Sequence, residues 1–412
     1  MTDQLEDLDT YRGRVRTYME ENLPRRNHDK PWHPMEDDDN RASMNRDLQR
    51  RLFDGGFAGV CYPKEYGGQS LPIEYQRVID DVSEDFDMPL LFSTPTMSIT
   101  GPTVLDFGTE AQKQRYIPAF LRGDELWVQF MSEPSGGSDM AGALTRADRD
   151  GDVFMLNGSK IWSTYAYRSD IALCLVRTNW DVPKHRGLSM LIVPIHQDGI
   201  TVNQIKMVDG TEEFCEEFFD DAIIPAENLV GEVDNGWTVA TRLLFHERAA
   251  VGGSSPYTQG RYRMTGAAGR DRIAGIARRA GRVGDPVAQQ LIGQAEVLNV
   301  VQHALIDRVR AGIESGHFPG PAGSLVRLFG GLAEVERLSI CLELADESAL
   351  VWDPPATGEH GIGYIRRQAS CLGGGSTEMA RNLISERILD MPREHAPDRG
   401  VAFREVKRNA PR

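Results

Sequence analysis

Hydrophobic spacing changes twice along this chain, and that double switch limits the fold more than any other feature of the sequence. From Leu5 to Arg122 the apolar residues recur at helical intervals, interrupted by breaker groups such as Tyr62-Pro63-Lys64-Glu65-Tyr66-Gly67-Gly68. From Trp127 to about Glu232 the apolar runs shorten to strand length, among them Ile171 to Val176 and Leu188 to Val193. After Asn235-Gly236 the helical interval returns, with breaks near Gly252 to Pro256, Phe318 to Pro321 and Pro354 to Gly363. Helix, then strand, then helix predicts an α+β multidomain chain: residues 1–124 all-helical, 125–234 a β domain and 235–412 a helical bundle. Strands and helices do not alternate, which disfavours a doubly wound parallel sheet, and neither GxGxxG after a strand nor GxxxxGK[ST] occurs. A nucleotide-like cofactor must be held in some other way. One hairpin is expected inside the β domain, with Val153 to Leu156 and Ser159 to Trp162 joined by Asn157-Gly158, a dipeptide that suits a type I′ turn.

A chain of 412 residues suits two or three packed units, and 40% hydrophobic with 26% charged residues suits a core-forming globular protein. The 46 Lys and Arg against 61 Asp and Glu give a net charge of −15, which repels nucleic-acid phosphates and anionic membrane surfaces at long range. Small anionic ligands stay possible, because local arginines or helix N-termini can reverse the potential within a Debye length. The five cysteines, Cys61, Cys174, Cys215, Cys341 and Cys371, are far apart and form no CxxC pair. That pattern predicts free thiols in a reducing compartment and no structural metal site. Met1 to Arg14 lacks the apolar core of a secretion signal and no run reaches membrane-spanning length, so a cytoplasmic protein with no membrane span is expected.

The sharpest local anomaly lies between Trp237 and Val251. On a wheel at about 100° per residue, Val239, Ala240, Leu243, Leu244, Ala250 and Val251 form one apolar face. Glu247 falls inside that face. A carboxylate in an apolar stripe loses solvation and its pKa should rise, which makes Glu247 a candidate general base; an internal ion pair, with Arg248 or another arginine, is the alternative. Periodicity does not choose between them.

Two glycine loops stand out as well. Met131-Ser132-Glu133-Pro134-Ser135-Gly136-Gly137-Ser138-Asp139 follows an expected strand at Trp127 to Phe130, and its small residues let backbone N–H groups approach a ligand. Gly373-Gly374-Gly375-Ser376-Thr377-Glu378 opens the last long helix, where free N–H groups and the positive dipole end favour an anion or a carbonyl oxygen. Loops composed like the first usually just turn the chain, and an ordinary N-cap accounts equally for the second. Trp162-Ser163-Thr164 sets a flat ring beside two hydroxyls, and a core tryptophan is the alternative.

Taken together and in order, these segments resemble the acyl-CoA dehydrogenase family. Trp127 to Asp139 looks like its flavin-binding strand and loop, Asn157 to Thr164 like its next flavin segment, and Gly373 to Arg393 like its closing helix. Tyr62 to Gly68, Phe107 to Glu110 with Gln112 and Lys113, and Ile224 to Gly231 match as well, so the resemblance spans about Leu5 to Arg393. It implies an N-terminal helical domain, a central β-barrel domain and a C-terminal four-helix bundle. It also implies noncovalent FAD, a tetramer, and an electron-transfer flavoprotein as electron acceptor.

The resemblance assigns roles residue by residue. The family places its base either just before the closing helix or on the bundle's first helix ahead of an arginine; the first location is Gly374 here, which cannot serve, and the second is Glu247 before Arg248. Phe130, Met131 and Ser132 match residues bordering the isoalloxazine, and Trp162 and Thr164 its ring-stacking and N5-side positions. Gly137 and Ser138 fall where the family meets flavin or CoA. Ser376 and Glu378 match residues near the FAD adenosine half. Gly374 keeps a backbone role, its N–H polarising the thioester oxygen, and Ser138, Arg248 and Gly374 are the substrate-side residues. Tyr165 and Tyr167 either line the pocket or lie on the surface.

One segment departs from the pattern: Ile276 to Pro286 lacks the family's Arg-x-x-Phe-Gly, leaving Arg278 or Arg279 as replacements or as a solvated helix face. With His246-Glu247-Arg248 and Gly373-Gly374-Gly375, it resembles the bacterial subgroup that includes steroid-side-chain dehydrogenases, some built from two unlike subunits. The expected reaction is oxidation of an acyl-CoA to the trans-2-enoyl-CoA by a homo- or hetero-tetramer. The alternatives are a flavin oxidase or monooxygenase of the same fold, a dehydrogenase of carrier-protein thioesters, and a noncatalytic subunit.

Overall fold

The computed structural model describes residues 5–26, 39–252, 255–260, 267–351 and 358–407. The chain divides into two compact units, one comprising Met1–Lys206, Thr211–Arg261 and His395–Arg412, the other Met207–Gly210 and Tyr262–Glu394.

In the first unit the helices are α1 (Leu8–Asn22), α2 (Asp39–Asp54), α3 (Ile73–Val82), α4 (Leu90–Phe92), α5 (Gly101–Phe107) and α6 (Glu110–Leu121). Asp7 starts α1 by accepting from the N–H groups of Asp9 and Thr10, and Tyr11, Val15 and Met19 recur on its buried face. That stripe packs with Tyr75, Val78, Ile79 and Val82 of α3. A reciprocal capping box between Thr109 and Gln112 opens α6. The Gln112 amide also reaches the carbonyls of Glu227 and Leu229 at 2.7 and 2.9 Å. Between α4 and α5 the backbone widens into π-type turns over Ser93–Thr100. The Thr96 hydroxyl there bonds both the N–H and the C=O of Trp127, at 3.0 Å each, and so fixes where the first strand begins.

The strands are β1 (Trp127–Phe130), β2 (Arg146–Asp150), β3 (Val153–Thr164), β4 (Ile171–Arg177), β5 (Leu188–Pro194), β6 (Ile200–Ile205), β7 (Phe214–Pro225) and β8 (Leu229–Val230). They run in the order β6-β7-β3-β2-β4-β5-β8, with β1 parallel to β4. The helical first third, central sheet and helical last third follow the spacing, but the closed barrel expected from the resemblance is corrected: the edge strands β6 and β8 do not pair. Strand β8 is only two residues long, and β6 presents Asn203 and Gln204 to water, so its free edge is tolerated. Strands β2 and β4 are paired at a single register position, Arg146 with Arg177, and the two halves enclose one core of Val128, Phe130, Phe154, Cys174, Cys215 and Phe219. The opposite face of β1, β4 and β5 packs against helices through Trp127, Met131, Leu173 and Met190.

The Asn157-Gly158 hairpin is also corrected. Strand β3 runs straight through those residues, and the chain reverses instead between β2 and β3 around Gly151, at φ +57°. Gly158 sits at a register shift with φ +139°, and a Cβ there would lie 2.8 Å from the Thr145 Cα. Glycine is needed for close backbone approach rather than for a turn.

Helix α7 (Gly236–Gly252) belongs to the first unit, where Val239, Ala240, Leu243 and Ala250 join the core on the helical side of the sheet. The second unit holds α8 (Ala267–Arg279), α9 (Pro286–Glu314), α10 (Gly323–Ala345), α11 (Gly358–Arg366) and α12 (Thr377–Arg387). Asp285 caps α9 ahead of Pro286, and Ile273, Ile276, Ala288, Ala295, Ile340 and Leu344 form the core. The breaks near Gly252 to Pro256 and Pro354 to Gly363 fall partly outside the described residues. Among those described, no helix is long and apolar enough to cross a membrane.

Replacing Gly158 with alanine should lower unfolding free energy by more than about 1 kcal/mol, because the Cβ meets backbone rather than a movable side chain. Chemical denaturation measures it, and an unchanged midpoint would contradict the close approach.

Candidate active site

Alternation along β1 sends Val128 and Phe130 into the core enclosed by the sheet and Trp127 and Met131 to the helical side. Gln129 shares the latter side, and there its Nε2 donates to Glu247 Oε2 at 3.2 Å. Gln129 Oε1 is buried without a hydrogen-bond partner among the described residues. Glu247 is half-buried at the rim of α7's apolar face. The buried arc is rotated from the wheel's, since Val251 is exposed and His246 is buried instead. His246 Nε2 lies 2.8 Å from Asp106 Oδ2 on α5, and Arg242 Nε contacts the same oxygen. Burial works to raise the Asp106 carboxyl, but His246 and Arg242 outweigh it and hold it below its usual range. The neighbouring Arg248 side chain is exposed. Crowding by nearby protein lowers its guanidinium pKa while the Glu247 carboxylate pulls it up, and with its surface in water it stays a cation.

The loop after β1 is built around Glu133. Its carboxylate accepts from Leu144 N at 2.6 Å, Thr145 N at 2.9 Å and the fully buried Lys160 Nζ at 2.8 Å. Burial pushes Glu133 up, yet Lys160 and the N–H donors bring it below its ordinary value. Lys160 also donates to Met131 O at 3.3 Å, and Ile161 N to Ser132 O at 3.0 Å, so the loop is tied to β3 beside Trp162. Ser132 is half-buried, and a Cβ at Gly137 would sit 3.6 Å from its hydroxyl. Gly137 and Ser138 are exposed. Phe130 turns away from this side, fully buried with its ring 6.1 Å from that of Phe219.

Strand β3 has a bulge at Trp162, whose φ of +69° puts a bulky residue in the left-handed region at a cost of about 1–3 kcal/mol. The indole is 51% exposed and meets Phe214 edge-on at 5.9 Å, which removes the core-tryptophan reading. Thr164 is half-buried beside it. Ser163 points the other way, its hydroxyl donating to Glu217 Oε2 at 3.0 Å. Burial pushes the Glu217 carboxyl up to about 8, with Ser163 and Lys160 acting against the rise. Tyr165 and Tyr167 pack into the helical-side core rather than lying on the surface.

In the second unit, Gly374 and Gly375 take φ +68° and +89°, and Ser376 caps α12 by accepting from Met379 N at 3.2 Å. Arg327 grips the glycine loop through Ser370 O and Gly373 O at 2.9 and 2.6 Å. Glu378 is exposed near Arg381, and Arg278 and Arg279 are exposed in the last turn of α8.

The first unit thus brings Glu247 to Gln129, and ties the loop of Met131, Ser132 and Gly137 to the strand that carries Trp162 and Thr164. Gln129, Lys160 and Glu217 were given no role from the sequence, and His246 entered only as part of the His246-Glu247-Arg248 motif. Period-two alternation from Trp127 would have found Gln129 as a polar residue on an apolar face; for Glu217, the adjacent Glu216 makes the strand look solvated. The residues fit a planar ring with polar edges such as a flavin. The indole is about half exposed, the Ser132 and Thr164 hydroxyls bond no other described side chain, and Gly137 leaves room beside Ser132.

Residues 6–124 match the N-terminal domain of acyl-CoA dehydrogenases and residues 129–222 their middle domain. Acyl-CoA dehydrogenase IpdE1 of Mycobacterium tuberculosis is 29% identical over 404 residues, covering 95% of this chain and 99% of the relative. Acyl-CoA dehydrogenase FadE26 of the same organism is 30% identical, covering 85% and 87%. A solved structure described as "Tcur3481-Tcur3483 steroid ACAD" superposes with a TM-score of 0.74 at 26% identity, covering 95% of this chain and 100% of that one. The chain belongs to the acyl-CoA dehydrogenase family.

Glu217 should make stability depend on pH. Its folded pKa lies above the 4.5 of the free side chain, so between the two the folded state keeps a proton that the unfolded state releases. Its contribution therefore weakens as pH rises through that window, by at most about 1.4 kcal/mol per pH unit, and levels off above about 8. In denaturation, Glu217→Gln should gain on wild type from pH 5 to 8 and no further; a pH-independent difference would contradict the assignment.

Proposed function

We propose that this chain is an FAD-dependent acyl-CoA dehydrogenase that converts an acyl-CoA to the trans-2-enoyl-CoA, with Glu247 as the base. The observation that carries the reading is the Gln129–Glu247 hydrogen bond of 3.2 Å, which holds a half-buried carboxylate over the strand leading into the Ser132 loop. The α-proton of a thioester is weakly acidic, so removing it needs a carboxylate that is poorly solvated and fixed in direction. Half-burial supplies the first condition, and Gln129, by fixing one oxygen, the second. FAD, when bound, supplies the electron sink that accepts the β-hydrogen as hydride. Trp162, Ser132 and Thr164 would hold the ring, with Met131 beside it and Gly137 and Ser138 serving flavin or CoA. Arg248, a cation in water one residue from the base, is suited to attracting the anionic CoA end into a site on a chain of net charge −15. Phe130 is left a backbone role only, since its side chain lies in the opposite core. The proposed site is drawn from the first unit alone, so Gly374, Ser376 and Glu378 stand outside it.

An electron-transfer flavoprotein as acceptor and a homo- or hetero-tetrameric assembly in the cytoplasm complete the proposal. The likeness to a steroid acyl-CoA dehydrogenase named for two chains supports including steroid-side-chain thioesters among the substrates to be tried.

The purified protein should be yellow, and acyl-CoA added without oxygen should bleach its visible flavin absorbance. Glu247→Gln should slow the bleaching by about 10²–10⁴-fold, the usual contribution of a positioned base. Bleaching at the wild-type rate in that variant would overturn the assignment.

A further inference from the structure

We propose that Glu217 is a positioning residue for the flavin site: from inside the sheet its carboxyl holds Ser163, and through it the bulge that turns Trp162 and Thr164 outward. The inference rests on the flavin reading above for its purpose, though not for its geometry.

Along β3 the side chains of Lys160 and Ser163 are buried, Ile161 and Thr164 are half-buried and Trp162 is exposed. Ile161 stands opposite Glu216 and Ser163 opposite Cys215, which leaves Trp162 without a partner across the ladder. The ladder thus holds the bulge only through its two flanking residues. The inward bond from Ser163 Oγ to Glu217 Oε2 adds a side-chain tie one residue later.

Glu217 is 0% exposed, and its Oε1 has no hydrogen-bond partner among the described residues. A buried carboxylate with a bare oxygen is costly, whereas a neutral acid tolerates the place. The cation acting on it, Lys160, is committed to Glu133 and Met131 O. One ammonium is thus set between two acids, and Glu133, with two backbone donors besides, holds the negative charge. The other groups around Glu217 do not compete. Glu216, half-buried beside it on β7, disfavours its ionisation. Cys174 on β4 and Cys215 on β7 are pushed by burial to about 12 and about 11 and stay neutral through the range of interest. From β6 the residue in register is the uncharged Val202.

Loss of the Glu217 proton would place a second negative charge beside a single ammonium. Either Lys160 is drawn from Glu133, loosening the Met131–Glu133 loop, or the Ser163 bond shifts and moves the bulge. Both segments flank the proposed ring site, so the flavin and Trp162 should report one and the same titration. Glu217 itself faces the enclosed core, away from Glu247, and takes no part in proton abstraction.

The test is a reversible titration of the flavin-containing protein from about pH 6 to about pH 10, following the visible spectrum and tryptophan emission. Trp162→Phe, subtracted from wild type, isolates the Trp162 emission. Wild type should change both signals with a common midpoint near 8. Glu217→Gln, which keeps a neutral hydrogen-bonding group, should hold the low-pH signals throughout. Glu217→Leu, which loses the bond, should shift the Trp162 emission at every pH. A Glu217→Gln protein that titrates like wild type, or a wild type with a flat Trp162 signal, would overturn the proposal. Should the protein prove colourless, the flavin reading fails, while the Trp162 emission still decides the role of Glu217.

Discussion

A fully buried ammonium organises the loop and strand at the proposed site. Lys160 joins the carboxylate of Glu133 to the carbonyl of Met131, and so locks the loop that leaves β1 onto the strand that carries Trp162. Removing one partner of a buried pair typically costs about 3–5 kcal/mol because the other charge is stranded. The remaining anchors serve the same end. Thr96 and the Asp170 carboxylate, which accepts from Leu126 N at 2.7 Å, fix the start of β1, and the strand's alternation then aims Gln129 at Glu247. The proposed base on α7 thus meets Gln129 on a strand held at both ends.

The sheet separates two kinds of acid. Toward the helices stands Glu247, half-buried, with Gln129 on one oxygen and the exposed Arg248 next along α7. Within the enclosed core stand Glu133, stabilised as an anion by three donors, and Glu217, stabilised as a neutral acid by burial. The same burial that raises one carboxyl leaves the other low, and the difference is the number of donors each receives. The roles proposed for them differ accordingly: proton removal, loop anchoring and strand positioning.

Much of this was legible in the residues themselves. The double switch in hydrophobic period gave the order of helix and sheet, and Glu247 stood out because it interrupts an apolar arc on α7. Illegible features depended on contacts distant in sequence. The sheet stays open because β8 is too short to meet β6, a matter of tertiary pairing. Asn157-Gly158 imitates a turn because a turn and a close backbone crossing both ask for glycine, and only the approach of Thr145 separates them. The arc on α7 rotates toward His246 because Asp106, about 140 residues earlier, gives that buried imidazole a partner from a more exposed position on α5. Phe130 was placed beside the ring by analogy of position, whereas alternation along β1 sends its side chain to the other core.

Abstraction of a proton by Glu247 can be separated from everything that follows it by measuring hydrogen exchange at C2 of an acyl-CoA whose β-position carries no transferable hydrogen. In heavy water the wild-type protein should wash deuterium into C2, seen by mass spectrometry, and Glu247→Gln should not. Exchange at an undiminished rate in the variant would show that another group removes the proton.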